Sequence, residues 1–370
     1  MGIRRTLVFD NSSAEKTLLS GILYPRALVT LYDYCVPDQS FTGHSSLLPI
    51  TVTAPSLIQS MPADYRTQTI DAALRDDLCQ LVRLAIREDL DRTADLTTMA
   101  LVPQGGQGSA YILPRVHGIA AGFDLIETML EELDARISVT LHVADGDEFQ
   151  PKQPLATLSG ETRDLLTCER TILNFLGRLC GIATLTSRYV SKLQGTQARV
   201  YDTRKTTPGW RRLEKYAVHC GGGHNHRLGL YDGILIKDNH LACRAAADGQ
   251  LLDAGAAVET AKAFVKSGAF RFENPIMIEV EIDRISQLES ALLAGPDIVL
   301  LDNMSCDQLR ECVALRNRIA ANVELEASGG INLDTIANIA QTGVNRISVG
   351  ALTHSAINLD LGLDWVLHHG

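Results

Sequence analysis

In the stretch DAALRDDLCQLVRLAIREDL, which begins at Asp71, apolar residues fall at Leu74, Leu78, Leu81, Val82, Ala85 and Ile86. That spacing lines one face of an α-helix, and Asp71 is placed to cap its first turn. Shorter apolar runs follow, GSAYIL and ISVTLHVADGDEF, punctuated by Gly, Pro and Asp, and they predict strands of a small β-containing domain. LLTCERTILNFLGRLCGIATLTSRYV then returns to helical spacing and carries Arg170 and Arg178 among largely apolar neighbours. If Arg170 is buried there, it needs an anionic partner.

Beyond about residue 195 the pattern changes. Short runs rich in Val, Ile and Leu recur as ARVYD, GILIKD, IMIEVEI, DIVLLDN, VELEAS and RISVGA. Between most of them lie stretches suited to helices, each closed by Gly or a polar turn. Buried parallel strands alternating with helices predict a β/α fold. Six strands are clear, fewer than the eight of a standard barrel.

Composition narrows the function classes. The 370 residues are 45% hydrophobic, 21% charged and 5% aromatic, the profile of a soluble globular protein. A net charge of −10 argues against a nucleic-acid partner, which needs a basic face. Eight scattered cysteines form no C-x-x-C pair and read as reduced thiols of a cytoplasmic protein. Residues 1–65 differ in texture and form an extension of unassigned role, or include a mis-called start with Met61 as the beginning. Its apolar run is broken by Pro25, Arg26 and Asp33, so no membrane span is expected. Its acids balance its bases, which suits a transit peptide poorly.

Against that acidic background, residues 200–240 gather Arg204, Lys205, Arg211, Arg212, Lys215, Arg227 and Lys237 with four histidines. In a β/α barrel, reactive groups collect at the C-terminal ends of the strands. Those ends hold, in order, Asp202, Arg204 and Lys205; Lys237 and Asp238; Glu279 and Glu281; Asp302 and Asn303; Ser328, Gly329 and Gly330; and Gly350. A positive wall, an acidic wall and a backbone cradle suit a substrate with separated anionic groups and a metal ion. Each element alone has a plainer explanation. Asp302 could be only a helix cap, ASGG and SVGA only strand-to-helix turns, and one of Arg211, Arg212 and Lys215 only a solvated charge. Val280 and Ile282 should pack against helices, which turns Glu279 and Glu281 inward. Lys237 could be an imine-forming lysine or a fixed cation. His226 reads as an anion-binding donor, because HNH lacks the spacing of a metal pair.

Taken together, DTRKTTPG, GGGHNHRLGLYDGILIKDNH, IEVEI, LLDNM, LEASGGI and ISVGALTHSA resemble the quinolinate phosphoribosyltransferases, also called nicotinate-nucleotide pyrophosphorylases (carboxylating). The likeness covers roughly residues 66–370 and includes an early EDL…DLTT match, where DRTA replaces a usual glycine. The resemblance implies an α/β sandwich domain over 66–182 and an open seven-stranded α/β barrel over 183–354, the type II phosphoribosyltransferase fold. Residues 355–370 would pack back on the first domain. It implies a homodimer or higher homo-oligomer in which Arg170 reaches the neighbour's site. Arg204, His226 and Arg227 would surround the two carboxylates of quinolinate, with Thr203 supporting the loop. Lys205 and Lys237 would meet the phosphoribosyl pyrophosphate. Glu281 and Asp302 would position ribose and Mg2+. Ser328, Gly329, Gly330, Ser348, Val349 and Gly350 would cradle the 5′-phosphate, and Lys205, Lys237, Glu281 and Asp302 would carry catalysis. The alternatives are a relative acting on nicotinate or another base, a Schiff-base aldolase using Lys237, and a non-catalytic anion-binding protein.

Overall fold

The computed structural model describes residues 64–248, 252–272 and 274–366. The extension therefore lies outside the described residues except for Asp64 and Tyr65. The first helix, α1 (Ala72–Leu90), starts where the Asp71 carboxylate accepts the Leu74 N–H at 2.8 Å. Its Leu74, Leu78 and Val82 are fully buried, worth about 1.5–3 kcal/mol each. A short α2 (Leu96–Leu101), capped by Asp95, leads into β1 (Gln107–Pro114) and β2 (Gly118–Ile119). There follow α3 (Ile126–Glu132), β3 (Ile137–Leu141), β4 (Glu148–Phe149), β5 (Ala156–Glu161) and the 30-residue α4 (Thr162–Ser191).

The second part runs β6 (Arg199–Tyr201), α5 (Arg211–Cys220), β7 (Ile234–Ile236), α6 (Asp238–Asp248) and α7 (Ala254–Lys266). It continues with β8 (Ile278–Ile282), α8 (Leu288–Ala294), β9 (Ile298–Asp302), α9 (Cys306–Ile319) and β10 (Glu324–Ser328). It closes with α10 (Ile336–Ala340), β11 (Arg346–Ser348) and α11 (Ala351–His354). The six strands pair in parallel in the order β6-β11-β10-β9-β8-β7. A further stave is reduced to one parallel bridge between Tyr201 and His224. There the His224 N–H donates to the Val200 carbonyl at 2.8 Å, and the Asp202 N–H to the His224 carbonyl at 3.0 Å. A stave held by one bridge has no strand signature to read, which explains why six strands stand out in the sequence and not seven.

The period of two in each strand sorts the side chains. Val280, Ile282, Val299, Leu301, Leu325 and Ala327 share one buried cluster with the surrounding helices. The opposite face sets Glu281, Leu300, Glu326 and Arg346 abreast across four neighbouring strands.

After the barrel the chain returns to its first sheet as β12 (Leu361–Trp365). It pairs antiparallel with β1, from Ala110–Trp365 to Pro114–Leu361, in a sheet ordered β12-β1-β5-β3. Residues 357–359 cross α4 so closely that a Cβ on Gly181 would lie 1.9 Å from the Ile357 carbonyl oxygen. The Leu359 N–H donates to the Gly177 carbonyl at 2.9 Å. No described helix is long and apolar enough to cross a membrane.

Candidate active site

At the C-terminal ends of the parallel strands lies a cavity of about 770 Å³. The loop after β6 supplies Thr203, Arg204 and Lys205. The loop folds tightly because Thr203 Oγ1 accepts the Lys205 N–H at 3.1 Å, while the Lys205 carbonyl accepts the Thr353 hydroxyl at 2.8 Å. His226 and Arg227 enter from the stretch before β7, and Lys237 from the end of β7. Glu281 and Asp302 come from the adjacent strands β8 and β9, while Ser328, Gly329, Gly330, Ser348, Val349 and Gly350 close the far side.

Two guanidinium groups of the positive wall are incompletely partnered. Arg204 Nε and Arg227 Nε are both buried without a hydrogen-bond partner among the described residues. Leaving such a donor unpaired costs about 1–3 kcal/mol. Burial, with Arg227 and Arg211 adding like charge, pulls the Arg204 pKa below its usual value. A site that concentrates guanidinium groups with unpaired Nε donors in this way is poised for an anion. Arg227 is anchored at two other points: its Nη1 donates to the Gly233 carbonyl at 3.0 Å, and its backbone N–H to His226 Nδ1 at 2.8 Å.

The structure changes the reading of His226. Its Nδ1 accepts from Arg227, and its Nε2 faces Glu279 Oε2 at 2.9 Å and Glu326 Oε1 at 3.7 Å. Both ring nitrogens are therefore engaged within the chain, and the ring meets the cavity as a wall, not as a free donor. Burial opposes a charge on His226, but Glu279 and Glu326 outweigh it and hold the pKa above the ordinary imidazole value. His226, Glu279 and Glu326 place ligand atoms within 4.8 Å of one another. Arg346 already donates to Glu326 Oε2 at 2.8 Å and Tyr65 to Glu279 Oε2 at 2.8 Å, so one oxygen of each glutamate is held within the chain, while Glu279 Oε1 and Glu326 Oε1 are buried without a hydrogen-bond partner among the described residues.

On the acidic wall, Lys237 Nζ donates to Glu281. Burial raises the Glu281 pKa, Asp302 and Asp238 add to the rise, and Lys237 opposes it. Asp302 is not a helix cap, since Ser305 caps α9. Its carboxylate instead accepts the Asn303 amide at 2.7 Å. In the cradle, Gly329 has φ +93°, and a Cβ there would lie 2.1 Å from Asn303 Oδ1. The next helix after Gly330 begins only at Ile336, so no helix end adds to the cradle there. The Val349 N–H is engaged with the Tyr201 carbonyl at 2.9 Å, which leaves Val349 as packing and not as a backbone donor.

Arg170 stands apart. It is not buried: its side chain is 62% exposed on α4, its guanidinium is 3.8 Å from Glu169, and it does not line this cavity. Arg178, three residues short of Gly181 on α4, is only partly exposed and is held by Glu214 at 2.6 Å. The sequence reading passed over Glu326 and His354, which also line the cavity, and Arg346 beneath it. Glu326 was legible: it alternates with Ser328 along β10 and so shares its face.

A family described as "Quinolinate phosphoribosyl transferase, C-terminal domain" matches residues 182–364, and its "N-terminal domain" counterpart matches residues 95–180. The chain is 44% identical over 285 residues to the nicotinate-nucleotide pyrophosphorylase [carboxylating] of Mycobacterium leprae, covering 76% of this chain and 95% of that protein. It is 43% identical over 276 residues to the probable nicotinate-nucleotide pyrophosphorylase [carboxylating] of Bacillus subtilis, covering 74% and 89%. Among solved structures, the nicotinate-nucleotide pyrophosphorylase from Francisella tularensis superposes with a TM-score of 0.71 at 34% identity, covering 82% of this chain and all of that one.

Proposed function

Because the chain belongs to the quinolinate phosphoribosyltransferase family, we propose that this cavity is where its reaction takes place. The enzyme transfers phosphoribosyl from phosphoribosyl pyrophosphate to quinolinate with decarboxylation, giving nicotinate mononucleotide, pyrophosphate and carbon dioxide. What carries the assignment of the site is one juxtaposition: two guanidinium groups with unpartnered Nε atoms share a cavity with the carboxylates of Glu281 and Asp302.

Planar guanidinium forks match carboxylate geometry, so Arg204 and Arg227 hold the two adjacent carboxylates of quinolinate. Thr203 keeps the Arg204 loop in place, and His226 backs Arg227 by accepting its N–H. Lys205 and Lys237 offset the charge of the diphosphate. Ser328, Gly329, Gly330, Ser348 and Gly350 surround the 5′-phosphate, where glycine lets the backbone approach an anion closely. As the bond to pyrophosphate loosens, positive charge grows at the ribose C1, and Glu281 and Asp302 stabilise it. The pyridine nitrogen then attacks C1 as pyrophosphate leaves; the 2-carboxylate departs as carbon dioxide, the electron pair it leaves on C2 is stabilised by the adjacent positive nitrogen, and a proton from solvent water takes up that pair to complete nicotinate mononucleotide.

Glu281 and Asp302 also fit a magnesium ion. Both are oxygen donors on adjacent strands, and the raised Glu281 pKa marks a carboxylate that gains from a nearby cation. When bound, the ion supplies charge neutralisation to the pyrophosphate.

Arg170 belongs in this reading to the site of a second copy. It is exposed on α4, the helix against which α2 packs, and α2 carries the exposed Leu96, Met99 and Leu101. Exposed apolar residues of that kind suit burial against another subunit. A cytoplasmic location fits the described cysteines, all of which are free thiols. The test is direct. Purified protein given quinolinate, phosphoribosyl pyrophosphate and magnesium should release carbon dioxide and pyrophosphate in equal amounts. Pyrophosphate release with nicotinate in place of quinolinate would sink the assignment.

A further inference from the structure

Ahead of α1, the five residues Asp64–Gln68 run beneath the barrel, outside the residues that either family domain matches. Yet they are tied to the site at several points. Asp64 accepts hydrogen bonds from the Tyr201 hydroxyl at 2.6 Å, Arg346 Nη1 at 2.7 Å and Arg199 Nη1 at 3.2 Å. The Gln68 N–H donates to Asn225 Oδ1 at 2.7 Å. Between them Tyr65 is 6% exposed, with its hydroxyl on Glu279 and its ring stacked on the His226 imidazole at 4.6 Å between centroids.

Tyr65 also packs against Gly233: a Cβ on that glycine would lie 2.8 Å from Tyr65 Cε1. His226 and Gly233 are the two residues that anchor Arg227, one through its N–H and the other through its Nη1. Both anchors of Arg227, one on its backbone and one on its guanidinium, therefore rest on one tyrosine ring. We propose that Tyr65 is a positioning residue for Arg227, and that Asp64–Gln68 forms the floor of the acceptor pocket. The hydroxyl matters less than the ring, because the ring stacks on His226 and makes the closer approach to Gly233, while the hydroxyl's hydrogen bond goes to Glu279.

This inference rests on the reading that Arg227 binds an acceptor carboxylate. It predicts a split in kinetics that a merely structural role would not produce. Tyr65→Leu should raise KM for quinolinate about tenfold or more, since small misplacements of a binding group carry penalties of that order. KM for phosphoribosyl pyrophosphate should stay within about twofold, the difference expected of a group that touches only one substrate's anchor. Tyr65→Phe should restore most of the loss. In a cycle with Arg227→Lys the two effects should fall short of additive, because one acts through the other.

Equal rises in both KM values, full additivity, or an unchanged quinolinate KM in a folded Tyr65→Leu protein would overturn the proposal. If Tyr65→Leu does not fold, Tyr65→Met removes the ring while keeping apolar volume, and the same split read from it decides the matter. If the wild-type protein does not turn over quinolinate, the functional reading fails by itself. Calorimetric binding of phthalate, an unreactive dicarboxylate of the same spacing, to wild-type and Tyr65→Leu protein then tests the positioning role alone. Equal phthalate affinity in the two would reject it.

Discussion

Lys215 Nζ bonds to Asp202 Oδ1 with neither side chain exposed to solvent. The same ammonium donates to the His226 carbonyl at 2.8 Å, and Asp202 Oδ1 accepts the His226 N–H at 2.8 Å. One buried ion pair thus fixes the backbone that carries His226 and Arg227 into the cavity. Removing one partner leaves a buried charge uncompensated, at a cost of about 3–5 kcal/mol. Lys215→Met should lower stability by that order in a denaturant titration. A change below 1 kcal/mol would show that the pair is dispensable.

Arg204→Lys keeps the charge but loses the planar fork. Charge-assisted bidentate pairing is worth roughly 1.5–3 kcal/mol, so KM for quinolinate should rise at least about tenfold. Steady-state kinetics at saturating phosphoribosyl pyrophosphate will read this, and an unchanged KM would count against Arg204 as a carboxylate ligand.

Arg170→Ala should abolish activity alone, yet mixing it with an inactive Lys237→Ala protein should return activity. If each site draws on two chains, a random 1:1 dimer mixture holds about a quarter of the wild-type sites in working order. Mixtures that stay inactive after subunit exchange would reject a shared site.

Gly329→Ala meets both a steric and a conformational barrier, because the new Cβ would strike Asn303 Oδ1 at a φ of +93°. Backbone strain of this kind costs about 1–3 kcal/mol. Thermal melts should show that loss, and KM for phosphoribosyl pyrophosphate should rise. An unperturbed KM would place the 5′-phosphate elsewhere.

Asp64 offers a test by pH. Burial works to raise its pKa, but Arg346 and the Tyr201 hydroxyl bond outweigh it, so the folded value lies below the ordinary aspartate one. A lowered carboxyl pKa stabilises the fold above the unfolded value of about 4 and loses that contribution as pH falls through the folded value. Asp64→Asn should therefore destabilise the protein near neutrality, with a gap that narrows as pH falls below about 4. A gap constant across that range would mean that the charge of Asp64 is irrelevant to docking of this run.

Much of the site was legible because it obeys local rules. Lys237, Glu281, Asp302 and Ser328 each end an apolar strand, and alternation sends them to one face. What escaped depends on distant partners. Tyr65 lies 214 positions from Glu279, and nothing in ADYRTQ announces a barrel floor. Lys215 sits within Leu213–Val218, a run buried throughout, yet a lysine on a short helix reads as a surface charge until Asp202 is seen beneath it. Arg170 misled in the opposite sense: the apolar stripe of α4 is real, but the arginine lies off it. The bridge at His224 is too short for any periodicity to reveal.

The return of β12 to β1 bears on how the chain is made. During synthesis from the amino end, β1 and β5 emerge early, but the neighbour on the other side of β1 emerges only after every strand of the barrel. Until then a nascent chain carrying almost the whole barrel shows a bare strand edge, the kind of surface on which unfinished polypeptides adhere to one another. Yield in the cell should accordingly depend on whatever shelters that edge, and a premature stop before Leu361 should give aggregates even though every cavity-lining side chain has been translated.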